Sequence, residues 1–230
     1  MKSNSIEPLV KIGKPAAPRA AGSPVWSGRA SPKRSRRHAI LQGVANVLRD
    51  SRLSSLTMQD IAAELGITKG NLYYYFRDKQ DILYQCHMHC MEVSLEVLRA
   101  SQAAWTARTA GDTMRACLRA LLVGHMRGIL DHGFGNVMLT DLDNLDAQQR
   151  RRYVAKRDEF EAGVRGMIAA GVKSGEFACP DIKLASLSLL GAINWIPKWY
   201  HPGGAMDSQQ VAEGMADFLM RALAAKPVEA

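Results

Sequence analysis

Residues 33 to 179 contain no proline, and their apolar residues recur at intervals of three and four. Proline is the strongest helix breaker, and this spacing places apolar side chains on one face of a helix rather than on alternate faces of a strand. Similar stripes follow one another along the chain, separated by glycine, aspartate and threonine. The pattern predicts an all-α protein of about nine helices without strands.

Capping residues and glycines give the expected limits of these helices. Thr57, with Asp60 three positions later, resembles a capping box ahead of a two-turn helix that Gly66 ends. Thr68 then begins a second short helix. Longer helices are expected to start near residues 32, 78, 111, 146, 180 and 208, with a short helix between residues 133 and 146.

Excess positive charge is confined to the N-terminal end. Residues 1 to 37 contain nine Lys and Arg residues and only one acidic residue, Glu7. In residues 38 to 230 the numbers of basic and acidic residues are equal. Five of the nine prolines also fall within the first 32 residues, so we expect a flexible basic arm there. Such an arm favours a polyanionic partner, either nucleic acid or a membrane surface, although it could simply aid solubility.

Other broad classes are disfavoured by what the sequence contains. The four cysteines are not spaced like a disulfide framework, and the apolar stretch from Leu184 to Pro197 is too short to span a bilayer. No phosphate-binding loop, dinucleotide fingerprint, HExxH motif or nucleophile elbow is present. We therefore expect a soluble cytoplasmic protein that is not an enzyme and needs no cofactor.

Residues 57 to 79 predict a helix, a tight turn and a second helix with a polar N-terminal end. A short helix of this kind fits a major groove about 12 Å wide, where its first residues meet base edges. Lys69 can donate to guanine and Asn71 can pair with adenine, whereas tyrosine hydroxyls suit phosphate oxygens. Leu72 and Phe76 are expected to point inward. The partner predicted from these residues is double-stranded DNA.

The run from Leu56 to Leu83, LTMQDIAAELGITKGNLYYYFRDKQDIL, resembles the tetracycline-repressor (TetR/AcrR) family of bacterial regulators almost throughout. With the first helix, the resemblance covers about residues 34 to 85. It implies a homodimer that binds a palindromic operator and is released by a small-molecule effector. Together with the composition of the N-terminal end, it gives an expected organisation of a basic arm over 1–32, a helix-turn-helix domain over 33–80 and an effector-binding and dimerisation domain over 81–230.

The resemblance also assigns residues to the DNA. When family positions are carried over to this chain, the residues expected near bases are Gln59, Lys69, Gly70 and Asn71. The residues expected near phosphates are Thr57, Tyr73, Tyr75 and Lys79. Thr68 and Tyr74 complete the expected DNA-binding surface. Family members often have histidine at one of the last aromatic positions before Phe76, where this chain has Tyr74 and Tyr75, so which phenol meets phosphate stays open.

Candidate effector contacts lie on the downstream helices. His125 falls on an apolar stripe, where it is either a core histidine or a ligand contact. The residues that could line an effector cavity, or simply fill the core, are Tyr84, His87, Met88, Met91, His125, Phe134, Phe160, Val164, Asn194 and Trp195. Flexible methionine suits an irregular apolar ligand.

One cluster could in principle bind metal or respond to oxidation: Cys86, His87, His89 and Cys90. Because His87 and His89 point apart on a helix, all four side chains cannot converge on one ion. We therefore expect no metal site here, and the small cysteines are expected to pack against a neighbouring helix.

The C-terminal run from Asn194 to Gly204, followed by a final amphipathic helix, resembles the members of the family that sense acyl-CoA thioesters in fatty-acid, sterol or related degradation. That resemblance implies basic residues near the pocket mouth, for which the candidates are Arg127, Arg151, Arg152 and Lys198. The last two helices are expected to form the dimer interface. Two alternatives stay open, an efflux regulator that senses a hydrophobic drug-like ligand and a non-specific DNA-coating protein.

Overall fold

The computed structural model describes residues 32–50, 56–107, 113–131 and 142–224, and within these ranges the chain is all-α. Eight α-helices and two 3-10 turns are present there, and the only extended pairing is an isolated bridge between Phe177 and Ala224. The helices are α1 (Pro32–Asp50), α2 (Met58–Glu64), α3 (Lys69–Tyr75), α4 (Lys79–Ala107), α5 (Met114–Asp131), α6 (Ala147–Lys173), α7 (Ile182–Trp195) and α8 (Ser208–Arg221).

The observed helix limits agree with the capping residues in the sequence. Asp146 closes a capping box at the start of α6, and Asp207 closes another at the start of α8. Helix α6 ends just before Gly175, whose φ of 78° only glycine adopts without strain. Most of the short helix expected between residues 133 and 146 lies outside the described residues, and its described end is the 3-10 turn Leu142–Asn144. The basic arm also lies outside them.

Two apolar cores share the long helix α4. The first joins α1, α2 and α3 to the beginning of α4 as far as Cys90. The second begins at Met91 on the same helix and joins α4 to α5, α6, α7 and α8. The expected domain boundary at residue 80 therefore falls in the first turn of an element that packs into both cores.

The larger core is a layered helical bundle in which α4 packs against both α5 and α6, α7 packs on α6, and α8 packs on α5. An ion pair between Arg119 and Asp217 adds a bidentate contact between α5 and α8, with nitrogen to oxygen distances of 2.6 and 3.1 Å. None of the helices that the structure describes is long and apolar enough to cross a membrane.

Candidate functional site

The helix-turn-helix begins with a reciprocal cap at Thr57. The Thr57 hydroxyl accepts the Asp60 backbone N–H at 3.2 Å and donates to the Asp60 carboxylate at 2.7 Å, while the Thr57 N–H donates to the same carboxylate at 2.8 Å. The hydrogen bond from the Thr57 side chain is the main reason why the pKa of Asp60 is lowered. Because the single hydroxyl proton of Thr57 is already donated, a phosphate contact by this side chain requires that proton to change its acceptor.

The turn between α2 and α3 is a Schellman motif. The Ile67 N–H donates to the Ala62 carbonyl, the Gly66 N–H donates to the Ala63 carbonyl, and Gly66 has a φ of 62°. Thr68 then accepts the Asn71 N–H at 3.1 Å as the N-cap of α3. These local bonds fix the angle at which α3 leaves the turn.

Helix α3 is anchored on one side and exposed on the other. Leu72 and Phe76 are fully buried, as predicted, whereas Tyr73 and Tyr74 are 46% and 65% exposed. The Lys69 ammonium lies 5.9 Å from the centre of the Tyr73 ring. An exposed cation beside an exposed phenol is an arrangement that suits a polyanionic surface.

The structure brings the ten predicted DNA-binding residues together on α2, α3, the adjoining turns and the first residue of α4. Seven are exposed, namely Thr57, Gln59, Thr68, Lys69, Gly70, Tyr73 and Tyr74, and three are half-buried, namely Asn71, Tyr75 and Lys79. Tyr75 packs edge-on against Tyr74, with ring centres 4.9 Å apart. Tyr73 and Tyr74 are therefore the more accessible of the three phenols.

Lys79 has a bracing contact that sequence reasoning missed. Its ammonium donates to the Leu56 carbonyl at 3.0 Å, which ties the first turn of α4 to the residue before the α2 cap. Arg37 on α1 was also missed, and its guanidinium lies 5.6 Å from the centre of the Phe76 ring. Both contacts join segments far apart in sequence, so no local pattern indicates them. The phosphate contact assigned to Lys79 stays a prediction.

A chain of buried polar groups crosses the second core. The Ser94 hydroxyl on α4 lies 2.9 Å from the Cys90 carbonyl and 3.0 Å from Nδ1 of His125 on α5. The His125 ring packs on Phe160 of α6, with centres 4.5 Å apart, and burial lowers the pKa of His125 to about 4. His125 is therefore neutral at ordinary pH.

A second histidine and aromatic pair lies along the same helices. The His87 ring of α4 packs on Tyr153 of α6, with centres 4.8 Å apart, and burial lowers the pKa of His87 to about 4. Burial raises the pKa of Tyr153, and the nearby Cys90 thiol adds to this. His87 and Ser94 are seven residues apart, as are Tyr153 and Phe160, so the two pairs are separated by about 10 Å along the helices. We call these side chains the polar seam: His87, Cys90, Ser94, His125 and Tyr153.

Apolar groups surround this seam. Met91, Phe160 and Val164 are buried in the second core, and Met88 packs against both cores. The sequence prediction named His87, His125, Met88, Met91, Phe160 and Val164 for an effector site but missed Ser94 and Tyr153. Ser94 lies seven residues after His87, and Tyr153 lies seven residues before Phe160, so each shares a helix face with a predicted residue. This spacing was the sequence signal that could have found them.

Other predicted effector residues lie elsewhere. Tyr84 is buried in the first core, whereas Asn194 and Trp195 are exposed at the end of α7. Phe134 lies outside the described residues. Among the basic candidates, Arg127 pairs with Asp131 in its own helix, and Lys198 lies 5.9 Å from the Trp195 ring. Arg151 and Arg152 are exposed on α6.

The cysteines of α4 lie in an apolar environment. Burial raises the pKa of Cys86 to about 12 and raises that of Cys90 as well. Thiols in this state are poor nucleophiles and poor metal ligands. Among the described residues, no group of three or more His, Cys, Asp and Glu side chains could hold a metal ion.

Two family models match this chain. The model described as "Bacterial regulatory proteins, tetR family" matches residues 40–86, and the model described as "Tetracyclin repressor-like, C-terminal domain" matches residues 111–223. The chain belongs to the TetR family. The first match spans the helix-turn-helix, and the second spans α5 to α8. The TetR family consists of transcriptional regulators rather than enzymes.

Individual TetR relatives align over most of the chain. The "HTH-type transcriptional repressor KstR2" of Rhodococcus jostii (strain RHA1) is 28% identical over 198 residues, which cover 84% of this chain and 94% of the relative. The crystal structure of PfmR from Thermus thermophilus has a TM-score of 0.69 at 28% identity, covering 80% of this chain and 98% of PfmR. AibR in complex with isovaleryl coenzyme A and operator DNA has a TM-score of 0.67 at 24% identity, with coverage of 80% and 98%.

The chain is thus a TetR-type helix-turn-helix transcriptional repressor. This assignment confirms the all-α fold and the class of regulator predicted from residues 56 to 83.

Proposed function

We propose that the protein represses transcription as a homodimer on a palindromic operator and is released by an acyl-CoA thioester from lipid, sterol or related catabolism. The observation that carries the DNA-binding part is α3, which presents Lys69, Tyr73 and Tyr74 outward while Leu72 and Phe76 hold it in the core. In a dimer, two such helices enter successive major grooves about 34 Å apart.

The apolar interior supports the effector part of the proposal. Met91, Phe160 and Val164 surround the polar seam between α4, α5 and α6, so this region can accept an acyl group if the helices separate. The same fold accommodates isovaleryl coenzyme A in AibR, which supports a coenzyme A thioester as a ligand compatible with this architecture.

Helix α4 supplies the connection between the two activities. It begins at Lys79, directly after α3, and carries Ser94 in the second core. An effector that separates α4 from α6 therefore displaces α3 and leaves the Ser94 to His125 contact between α4 and α5 in place. Such an effector must bind the displaced form more tightly, since only a difference in affinity shifts the population.

The DNA-binding proposal is tested by exchanging one lysine on α3. Lys69→Ala should weaken binding to the palindrome upstream of the gene by about 5- to 150-fold, because one lost base contact costs about 1–3 kcal/mol. Lys173→Ala, which removes an exposed lysine from the end of α6, is the matched control and should leave affinity unchanged. Fluorescence anisotropy at fixed salt measures both. Equal binding to random DNA, or no effect of Lys69→Ala, would contradict the proposal.

The effector proposal is tested by linkage. A decanoyl-CoA titration should lower operator affinity, and operator should lower decanoyl-CoA affinity by the same factor. Release by hydrophobic drug-like compounds and not by any acyl-CoA would instead favour an efflux regulator.

A further inference from the structure

The two contacts of the Ser94 hydroxyl in the polar seam can both be hydrogen bonds in only one tautomer of His125. A serine hydroxyl carries one proton. If Ser94 donates it to the Cys90 carbonyl at 2.9 Å, the 3.0 Å contact to His125 is a hydrogen bond only when Nδ1 carries the histidine proton. In the other tautomer Nδ1 carries no proton, so the single hydroxyl proton of Ser94 can be donated either to the Cys90 carbonyl or to Nδ1, but not to both.

The neutral Nδ1–H tautomer leaves Nε2 of His125 as a hydrogen-bond acceptor without a proton to donate. Burial keeps the ring neutral, because it lowers the pKa of His125 to about 4. Nε2 can therefore receive a ligand hydroxyl but cannot donate to a ligand carbonyl.

The charge of the interior restricts the ligand further. Among the described residues, the buried polar side chains are Asp81, His87, Ser94, Ser101, His125, Gln149 and Ser186, and none of them is Lys or Arg. A carboxylate placed beside His125 would lose its hydration without gaining a buried cation.

We propose that the seam selects an effector whose buried part is uncharged and carries a hydroxyl, which donates to Nε2 of His125. The inference rests on the proposed effector function and adds a chemical class to it, hydroxyacyl thioesters in preference to oxoacyl thioesters and to free acids. The Ser94 hydroxyl acts as a positioning group, because it holds the proton of His125 on Nδ1.

Matched ligands test this preference by isothermal titration of the full chain. The probes are hydroxydecanoyl-CoA and oxodecanoyl-CoA, each substituted at the β carbon or near the chain end, together with decanoyl-CoA and decanoic acid. One of the hydroxy probes should bind about tenfold more tightly than its oxo counterpart, the value of one net hydrogen bond, and decanoic acid should bind most weakly.

Ser94→Ala gives a readout that a merely structural role would not produce. Without its acceptor, Nδ1 no longer favours the proton, so Nε2 can become the donor and the hydroxy-over-oxo preference should disappear or reverse. Ser101→Ala removes another buried hydroxyl from α4, two turns away, and should keep the preference.

The outcomes separate the two proposals. Equal affinity for every hydroxy and oxo pair, tighter binding of decanoic acid, or a preference that survives Ser94→Ala overturns the hydroxyl inference while leaving an acyl-CoA regulator intact. If no thioester binds a protein that still binds its operator, the proposed effector class is wrong, and the hydroxyl inference is overturned with it.

Discussion

Glu176 illustrates how a single side chain far away in sequence completes a helix. Its carboxylate, in the loop after α6, accepts the backbone N–H groups of Met114 and Arg115 at 3.1 and 3.0 Å. These groups belong to the first turn of α5, where the helix itself supplies no acceptors. Burial alone would raise the pKa of Glu176, but the hydrogen bonds from Arg115, Met114 and Ser174 outweigh it, so the pKa is lowered.

Glu176→Gln should therefore lower the free energy of unfolding at neutral pH by about 1–2 kcal/mol, because a charged cap becomes a neutral one. A lowered folded-state pKa stabilises the protein above the pKa of the unfolded chain, and this stabilisation is lost as pH falls through the folded-state pKa. The difference between the variant and the natural protein should thus shrink in acid. Urea unfolding at neutral and acidic pH measures it.

Glu96→Gln is the control for that experiment, because Glu96 is an exposed acid on α4. It should change stability little at either pH. An equal loss in both variants, or a Glu176→Gln loss that persists undiminished in acid, would show that the cap does not act as described.

Residue roles could be predicted where the interaction is local and not where it is distant. Thr57 and Asp60 are three positions apart, so their cap could be read from the sequence. Glu176 and Met114 are separated by 62 positions, and Ser94 and His125 by 31. Such pairs depend on how helices pack. The spacing of seven residues places Ser94 on the same face of α4 as His87, but it does not indicate that His125 is its partner. For the same reason Tyr84 and Trp195 were grouped with Phe160, although the fold places them apart.

At the scale of elements, the angle between α2 and α3 depends on one backbone conformation. Gly66 has a φ of 62°, and a Cβ built there would meet nothing within 4 Å. A substitution at this position is therefore opposed by the backbone and not by crowding.

Gly66→Ala should lower the free energy of unfolding by about 1–2 kcal/mol, which is the cost of the left-handed conformation for a residue with a Cβ. Gly70→Ala is the matched control, because Gly70 lies within α3 and its Cβ would also meet nothing within 4 Å. That variant should gain about 0.5–1 kcal/mol from helix propensity. Thermal and urea unfolding compare the two variants. Equal effects of both would show that the turn conformation is not what limits the substitution.

At the scale of the whole molecule, α7 and α8 each have a face that the single chain leaves uncovered. Leu184, Leu187 and Trp195 lie on α7 at spacings of three and eight, and they are 62%, 50% and 61% exposed. Phe218 on α8 is 66% exposed. The other faces of these helices pack on α6 and α5, so the uncovered faces favour a second copy of the chain as their partner.

Gly191 tests the proposed dimer because it lies on α7 between Leu187 and Trp195 and has open space around it in the single chain. Gly191→Arg should leave the fold intact but place a long charged side chain in the interface. The protein should become monomeric and lose tight operator binding, because the two reading helices are no longer joined. Gly166→Arg introduces the same side chain at an exposed, equally open glycine of α6 and should remain dimeric.

Light scattering after size exclusion measures the mass of both variants. A dimer that persists in Gly191→Arg, or an equal loss in Gly166→Arg, would place the interface elsewhere, whereas a monomer only in the former ties DNA recognition to α7.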